Sequence, residues 1–200
     1  MLEDLLAANR AWAKTRRGPD PDYFERLAQG QRPRFLWIGC SDSRVPAGEI
    51  VGLGPGELFV HRNIANLARA EDPSLAAVLA FAVRELPIEH VLVVGHTGCG
   101  GVGAAASGLA EGPLGRWLDP IRTTFDSHRA ELSAIAEEKT RLERLAELNV
   151  IAQVGALASH PILAQAWANG RPLAVHGWIF RLETGLLKDL HVSTSGAGAL

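Results

Sequence analysis

The sequence predicts an α/β protein with a mostly parallel central sheet flanked by helices. Three observations lead there. Short apolar runs rich in β-branched residues alternate with helical stretches, as in chains built from strand–helix–strand units. The clearest strands end abruptly in glycine or cysteine followed by polar residues. No repeat or linker divides the 200 residues, so one domain with a helical arm at about 2–33, a core over 34–192 and a loose tail over 193–200 is expected.

The elements follow in order. Leu2, Leu5, Leu6 and Trp12 form a helical stripe over 2–14, broken by Gly18-Pro19-Asp20-Pro21. A short helix over Tyr23–Ala28 precedes Arg32-Pro33. Phe35–Gly39 is a buried strand, and Leu58–Arg62 is another. Asp72-Pro73 starts a helix as an N-cap followed by proline, running from Leu75 to Leu86 before Pro87. His90–Gly95 is a strand closed by glycine. Leu142, Leu145, Leu148 and Ala152 mark a helical face. Residues 172–180 form a late strand, and a turn at Glu183-Thr184-Gly185 leads into 186–192.

Composition narrows the function classes. The chain is 47% hydrophobic, 21% charged and 6% aromatic, with 20 basic and 22 acidic residues intermixed, an ordinary globular balance. The absence of a basic stripe argues against nucleic acid as a partner. No stretch reaches the roughly 18 apolar residues of a membrane span. The opening M-L-E-D-L-L is acidic where a signal peptide would be basic, so a cytoplasmic location is expected. In a reducing compartment two cysteines point to metal or catalytic chemistry rather than a structural disulfide.

Those cysteines carry the functional signal. Cys40 follows one expected strand, and His96 and Cys99 follow another. Parallel sheets gather ligands at the carboxyl ends of their strands, so residues 59 positions apart can meet. Two thiolates and an imidazole suit Zn²⁺ and leave a fourth position open, as catalytic zinc requires. Gly95, Gly98, Gly100 and Gly101 allow the tight backbone this needs and free amide groups for the sulfurs. A redox cysteine pair is the competing reading of the same residues. Asp42 and Arg44 would be an idle surface pair elsewhere. Beside a metal, the arginine fork keeps the carboxylate ionised and able only to accept hydrogen bonds. A zinc-bound hydroxide would then donate to Asp42 and aim its lone pair at an electrophile.

The stretches C-S-D-S-R (40–44), P-G-E-L-F-V-H-R-N-I-A-N (55–66) and G-H-T-G-C-G-G-V (95–102) resemble the β-class carbonic anhydrases, as do E-L-N-V (147–150) and H-G-W-I-F (176–180). The likeness runs from about Leu2 to Val192. It implies reversible hydration of CO₂ to bicarbonate and a proton, with one zinc held by Cys40, His96 and Cys99 and with Asp42 and Arg44 as the catalytic dyad. In such enzymes the aspartate can also take the fourth metal position, here Asp42. The resemblance further implies a dimer or tetramer with an N-terminal helix on a neighbouring copy. Two thiolates cancel the metal's formal charge, so activity is expected to rise toward alkaline pH. Some relatives bind bicarbonate at a second site of tryptophan, arginine and tyrosine. The matching positions are Trp37, Arg62 and Phe180, and the missing hydroxyl is expected to weaken that inhibition. Plain core packing is the alternative for Trp37 and Phe180. CS₂ or COS hydrolysis, and a bicarbonate-binding protein without turnover, are the other functions weighed.

Overall fold

A computed structural model describes residues 1–196. The chain divides into two compact units, the first over Met1–Arg32 and the second from Pro33 onward. The first contains helices α1 (Leu2–Arg17) and α2 (Tyr23–Ala28). Trp12 meets Phe24 edge-on, with ring centroids 5.6 Å apart. Acidic Glu3 and Asp4 open α1 and basic Lys14, Arg16 and Arg17 close it, both favourable to the helix dipole. This carries α1 three residues past the expected end at Lys14.

The second unit follows the order β1 (Phe35–Cys40), α3 (Ala47–Ile50), β2 (Leu58–Asn63), a 3₁₀ turn (Ile64–Asn66), α4 (Pro73–Arg84) and β3 (His90–His96). After these come α5 (Gly100–Ser107), α6 (Gly112–Trp117), α7 (Asp119–Ser127), α8 (Arg129–Ser133), α9 (Glu138–Ala158), α10 (Pro161–Ala168), β4 (Ala174–Arg181) and β5 (Leu186–Thr194). The sheet order is β2-β1-β3-β4-β5, parallel except for the antiparallel β4–β5 pair.

Alternate residues of the central strands feed two cores. Leu36, Ile38, Val91, Val93, Val175 and Ile179 join the larger one beneath the helices. Trp37, Leu92, Val94 and Phe180 point to a smaller cluster with Val45 and Ala47. Buried on both faces, β1 and β3 therefore read as continuous apolar runs. The long helix α9 lies close on the sheet because Gly95 lacks a side chain: a Cβ there would sit 2.7 Å from Val150 Cγ2.

Two points depart from the sequence reading. The helices over 100–133 and at 161–168 went unread because none exceeds nine residues, too short for a periodic pattern to stand out. The tail expected to be loose from 193 starts inside β5, where Ser193 pairs with His176 and Thr194 with Val175. Thr194 is buried there. The remainder of that expected tail, 197–200, lies outside the described residues.

Candidate metal centre

Chain direction creates the site. β1 connects to β2 on one side, and the chain then crosses to β3 on the other, so the strand order reverses between β1 and β3. Crevices at such reversals are where open α/β sheets bind ligands. Cys40 is the last residue of β1 and His96 the last of β3. Cys99 caps α5, reached through Gly98, whose φ of +62° favours glycine.

The three candidate ligand atoms lie within 4.8 Å of one another, and all three residues are buried. The sulfurs are 4.0 Å apart and not joined in a disulfide. Tetrahedral zinc holds sulfurs about 2.3 Å from itself, hence about 3.8 Å from each other. The ring Nδ1 of His96 donates to the Thr97 carbonyl at 2.9 Å, which leaves Nε2 as the bare nitrogen. Nε2 is buried without a hydrogen-bond partner. Among six such buried atoms in the described residues, this is the one that faces two sulfurs, and an unsatisfied buried atom needs an explanation. A soft donor set converging on such an atom fits a zinc ion. It fits a redox pair less well, because thiol exchange has no use for an imidazole nitrogen held bare beside both sulfurs.

The backbone favours thiolates. The amides of Asp42 and Ala65 act to lower the Cys40 pKa, and those of Val102 and Gly101 act in the same direction on Cys99. In the protein alone, hydrogen bonding from Cys99 holds the Cys40 thiol well below its ordinary pKa. The same contact, then burial, pushes Cys99 up. The pair shares a proton and is poised for a cation.

Asp42 stands beside this group, its Oδ2 3.8 Å from His96 Nε2. Arg44 grips it with a fork, Nε to Oδ1 at 2.9 Å and Nη2 to Oδ2 at 2.6 Å, while the Arg44 N–H adds a third bond at 2.9 Å. The side-chain bond to Arg44 outweighs desolvation and holds the Asp42 carboxyl far below the usual carboxylate range. Arg44 Nη2 also donates to the Gly98 carbonyl at 3.2 Å, tying the two ligand-bearing loops together.

Known proteins match this chain over most of its length. The family model described as carbonic anhydrase matches residues 35–187. The chain belongs to the β-class carbonic anhydrases. It is 46% identical over 195 residues to a carbonic anhydrase of Emericella nidulans, covering 97% of this chain and 85% of the relative. Among solved structures, a tetrameric β-carbonic anhydrase of Sordaria macrospora is 42% identical with a TM-score of 0.89, covering 96% of this chain and 98% of that one. A Coccomyxa β-carbonic anhydrase in complex with acetazolamide is 37% identical with a TM-score of 0.93, covering 98% and 89% respectively. The enzyme therefore catalyses the hydration of CO₂ with zinc as its cofactor.

Within this β-carbonic anhydrase, other residues of the sequence analysis have definite places. Arg62 is a strap: Nε donates to the Cys40 carbonyl at 2.8 Å and Nη2 to the Asp42 carbonyl. Trp37 is fully buried in the smaller core beside Phe180. Sequence reasoning missed Thr97, which locks the ligand loop. Its hydroxyl donates to Glu183 at 2.9 Å and accepts from the Leu182 N–H at 3.0 Å. It also missed Asn149 and Gln153 on α9, buried behind the site. Only the quoted motifs E-L-N-V and R-N-I-A-N hinted at them.

Proposed function

We propose that Cys40, His96 and Cys99 hold the catalytic zinc and that Asp42, kept ionised by Arg44, orients the attacking water. The observation that carries this is the bare, buried Nε2 of His96 converging with two sulfurs on one point. Zinc bound there supplies Lewis acidity that draws the pKa of a water molecule toward neutrality. Asp42 can only accept hydrogen bonds, so a water or hydroxide beside it must present its hydrogen to the carboxylate and its lone pair elsewhere. That lone pair forms the bond to the carbon of CO₂, one C=O electron pair moves onto oxygen, and a proton passes to solvent. Arg44 keeps the acceptor in place through the three bonds described above. Moving Asp42 to a fourth ligand position would break them, so the fork supports the water-admitting arrangement.

A dimer or tetramer is part of the proposal, supported by the tetrameric Sordaria macrospora relative and by the apolar side chains that α1 leaves uncovered. A cytoplasmic location belongs to it too, on the sequence grounds given above. For Trp37 and Phe180 we favour packing over a second bicarbonate site, because Trp37 is fully buried and Arg62 is engaged by two backbone carbonyls.

Stopped-flow CO₂ hydration across pH tests the dyad. Asp42→Ala is expected to lower kcat by 10²-fold or more with zinc content unchanged, against a wild-type rate that climbs toward alkaline pH. Equal rates in the two proteins would remove Asp42 from the mechanism.

A further inference from the structure

Two motifs that supply no ligand, R-N-I-A-N at 62–66 and E-L-N-V at 147–150, meet behind Cys40. Ala65 and Asn66 are left-handed, with φ of +62° and +49°. Two successive non-glycine residues seldom adopt this conformation, and such strain persists only where the surroundings impose it. Here the imposing groups are visible. Asn149 Nδ2 donates to the Ala65 carbonyl at 3.0 Å, Gln153 Nε2 to Asn149 Oδ1 at 3.0 Å, and the Ala68 N–H to Gln153 Oε1 at 2.9 Å. Asn63 closes the turn from the other side, accepting from the Leu67 N–H at 2.8 Å and donating to the Leu67 carbonyl at 2.7 Å. Asn149 is 0% exposed and Gln153 4%. Amides so deep in a core are costly unless bonded, and these spend their bonds on one strained turn.

The turn lies against the end of β1. Ala65 and Cys40 are buried in the same core, and the Ala65 amide favours the Cys40 thiolate. Gly101, on the Cys99 side of the site, packs against the turn so tightly that a Cβ there would lie 3.0 Å from that of Ala65.

We propose that Asn149, braced by Gln153, is a positioning residue for the metal ligand Cys40: it holds the left-handed Ala65 turn so that the turn's amide orients the Cys40 sulfur and withdraws charge from it. This rests on the reading of Cys40 as a zinc ligand. A thiolate receiving N–H bonds is fixed in direction and donates less charge to a metal, leaving that metal a stronger Lewis acid. Without the brace, Ala65 relaxes to a right-handed or extended conformation and its N–H swings away from sulfur.

The test compares Asn149→Ala, Ala65→Gly and the double variant in the full-length protein. The readouts are zinc affinity by chelator competition, the sulfur-to-metal charge-transfer band of the Co²⁺-substituted protein, and thermal unfolding. Asn149→Ala is expected to weaken zinc 10- to 100-fold, the usual range for lost outer partners, and to shift the band. Ala65→Gly in the same chain should restore most of both, because glycine takes a φ of +62° without a side-chain penalty. A lowered melting temperature with wild-type affinity and band would reduce Asn149 to core packing and overturn the proposal, as would failure of the glycine to rescue. If Asn149→Ala does not fold, Gln153→Met keeps the volume and loosens the same brace; a smaller loss with the same rescue is expected. A folded Gln153→Met protein indistinguishable from wild type overturns the proposal equally. Cys40→Ser separates the underlying reading: full zinc affinity and an unchanged band there would show that Cys40 is not a ligand, whatever Asn149 does.

Discussion

The helices α1 and α9 both place leucines at helical spacing and meet opposite fates. Over its 21 residues α9 buries Leu145, Ala146, Leu148, Asn149, Val150, Gln153, Val154, Leu157 and Ala158. Over its 16 residues α1 buries none, and Leu2, Leu5 and Leu6 are each more than 60% exposed. The difference lies in what answers the stripe. For α9 the answer is in the same unit: Gly95 and Gly177 open the sheet surface to Val150 and Val154, and the Ala65 turn offers a carbonyl to Asn149. Within its own unit α1 meets only α2. A helical stripe thus states that a helix needs a partner, and says nothing about whether the partner is in the same chain.

The comparison breaks most severely at the sheet surface. Gly95→Val would drive its Cβ to 2.7 Å from Val150 Cγ2 and prise α9 off β3. A loss of about 3 kcal/mol or more, the upper range for overpacking, is expected in urea denaturation, with zinc content falling as well because His96 adjoins the displaced residue.

Truncating one leucine on each helix sharpens the contrast. Leu145→Ala, at a fully buried position, should cost about 2–5 kcal/mol through lost transfer energy and a cavity. Leu5→Ala, 65% exposed, should change the unfolding of a dilute monomer by less than about 0.5 kcal/mol. It should instead weaken self-association in sedimentation velocity, if the α1 stripe seats on another copy. An unaltered sedimentation profile would break that reading of the arm.

The smallest effect concerns a polar anchor of α9. Burial raises the Glu147 carboxyl, but Lys188 on β5 and Arg144 on α9 outweigh it, so the folded pKa lies below the ordinary one. The unfolded chain then takes up the proton first as pH falls. The stability this carboxylate contributes is complete above about pH 5 and fades as pH drops through the folded value. Glu147→Gln should cost about 1 kcal/mol at pH 7, with the gap to wild type closing in acid. A gap that stays constant down to pH 3 would assign the effect to packing instead.

Much of this protein was legible in its residues. The alternation of apolar runs with helical stretches gave the sheet, because strands buried on both faces cannot hide their composition. Cys40, His96 and Cys99 were legible as a set because few residue types bind a soft cation, and only strand ends could bring them together. Asp42 and Arg44 sit two and four residues after Cys40, so their partnership was local and readable. Ser193 and Thr194 were misread because edge strands bury little and carry little pattern.

The rest is long-range. Nothing within 62–66 says that Ala65 must turn left-handed, since the amide that holds it sits 84 residues away on α9. Thr97 draws its meaning from Glu183, 86 residues on, and Arg62 from carbonyls more than one strand back. Composition and spacing determined which atoms could bind the metal and which carboxylate could steer water. Tertiary structure decided how firmly each atom is aimed, because hydrogen bonds between distant segments form only once packing has brought their donors and acceptors within 3 Å or so.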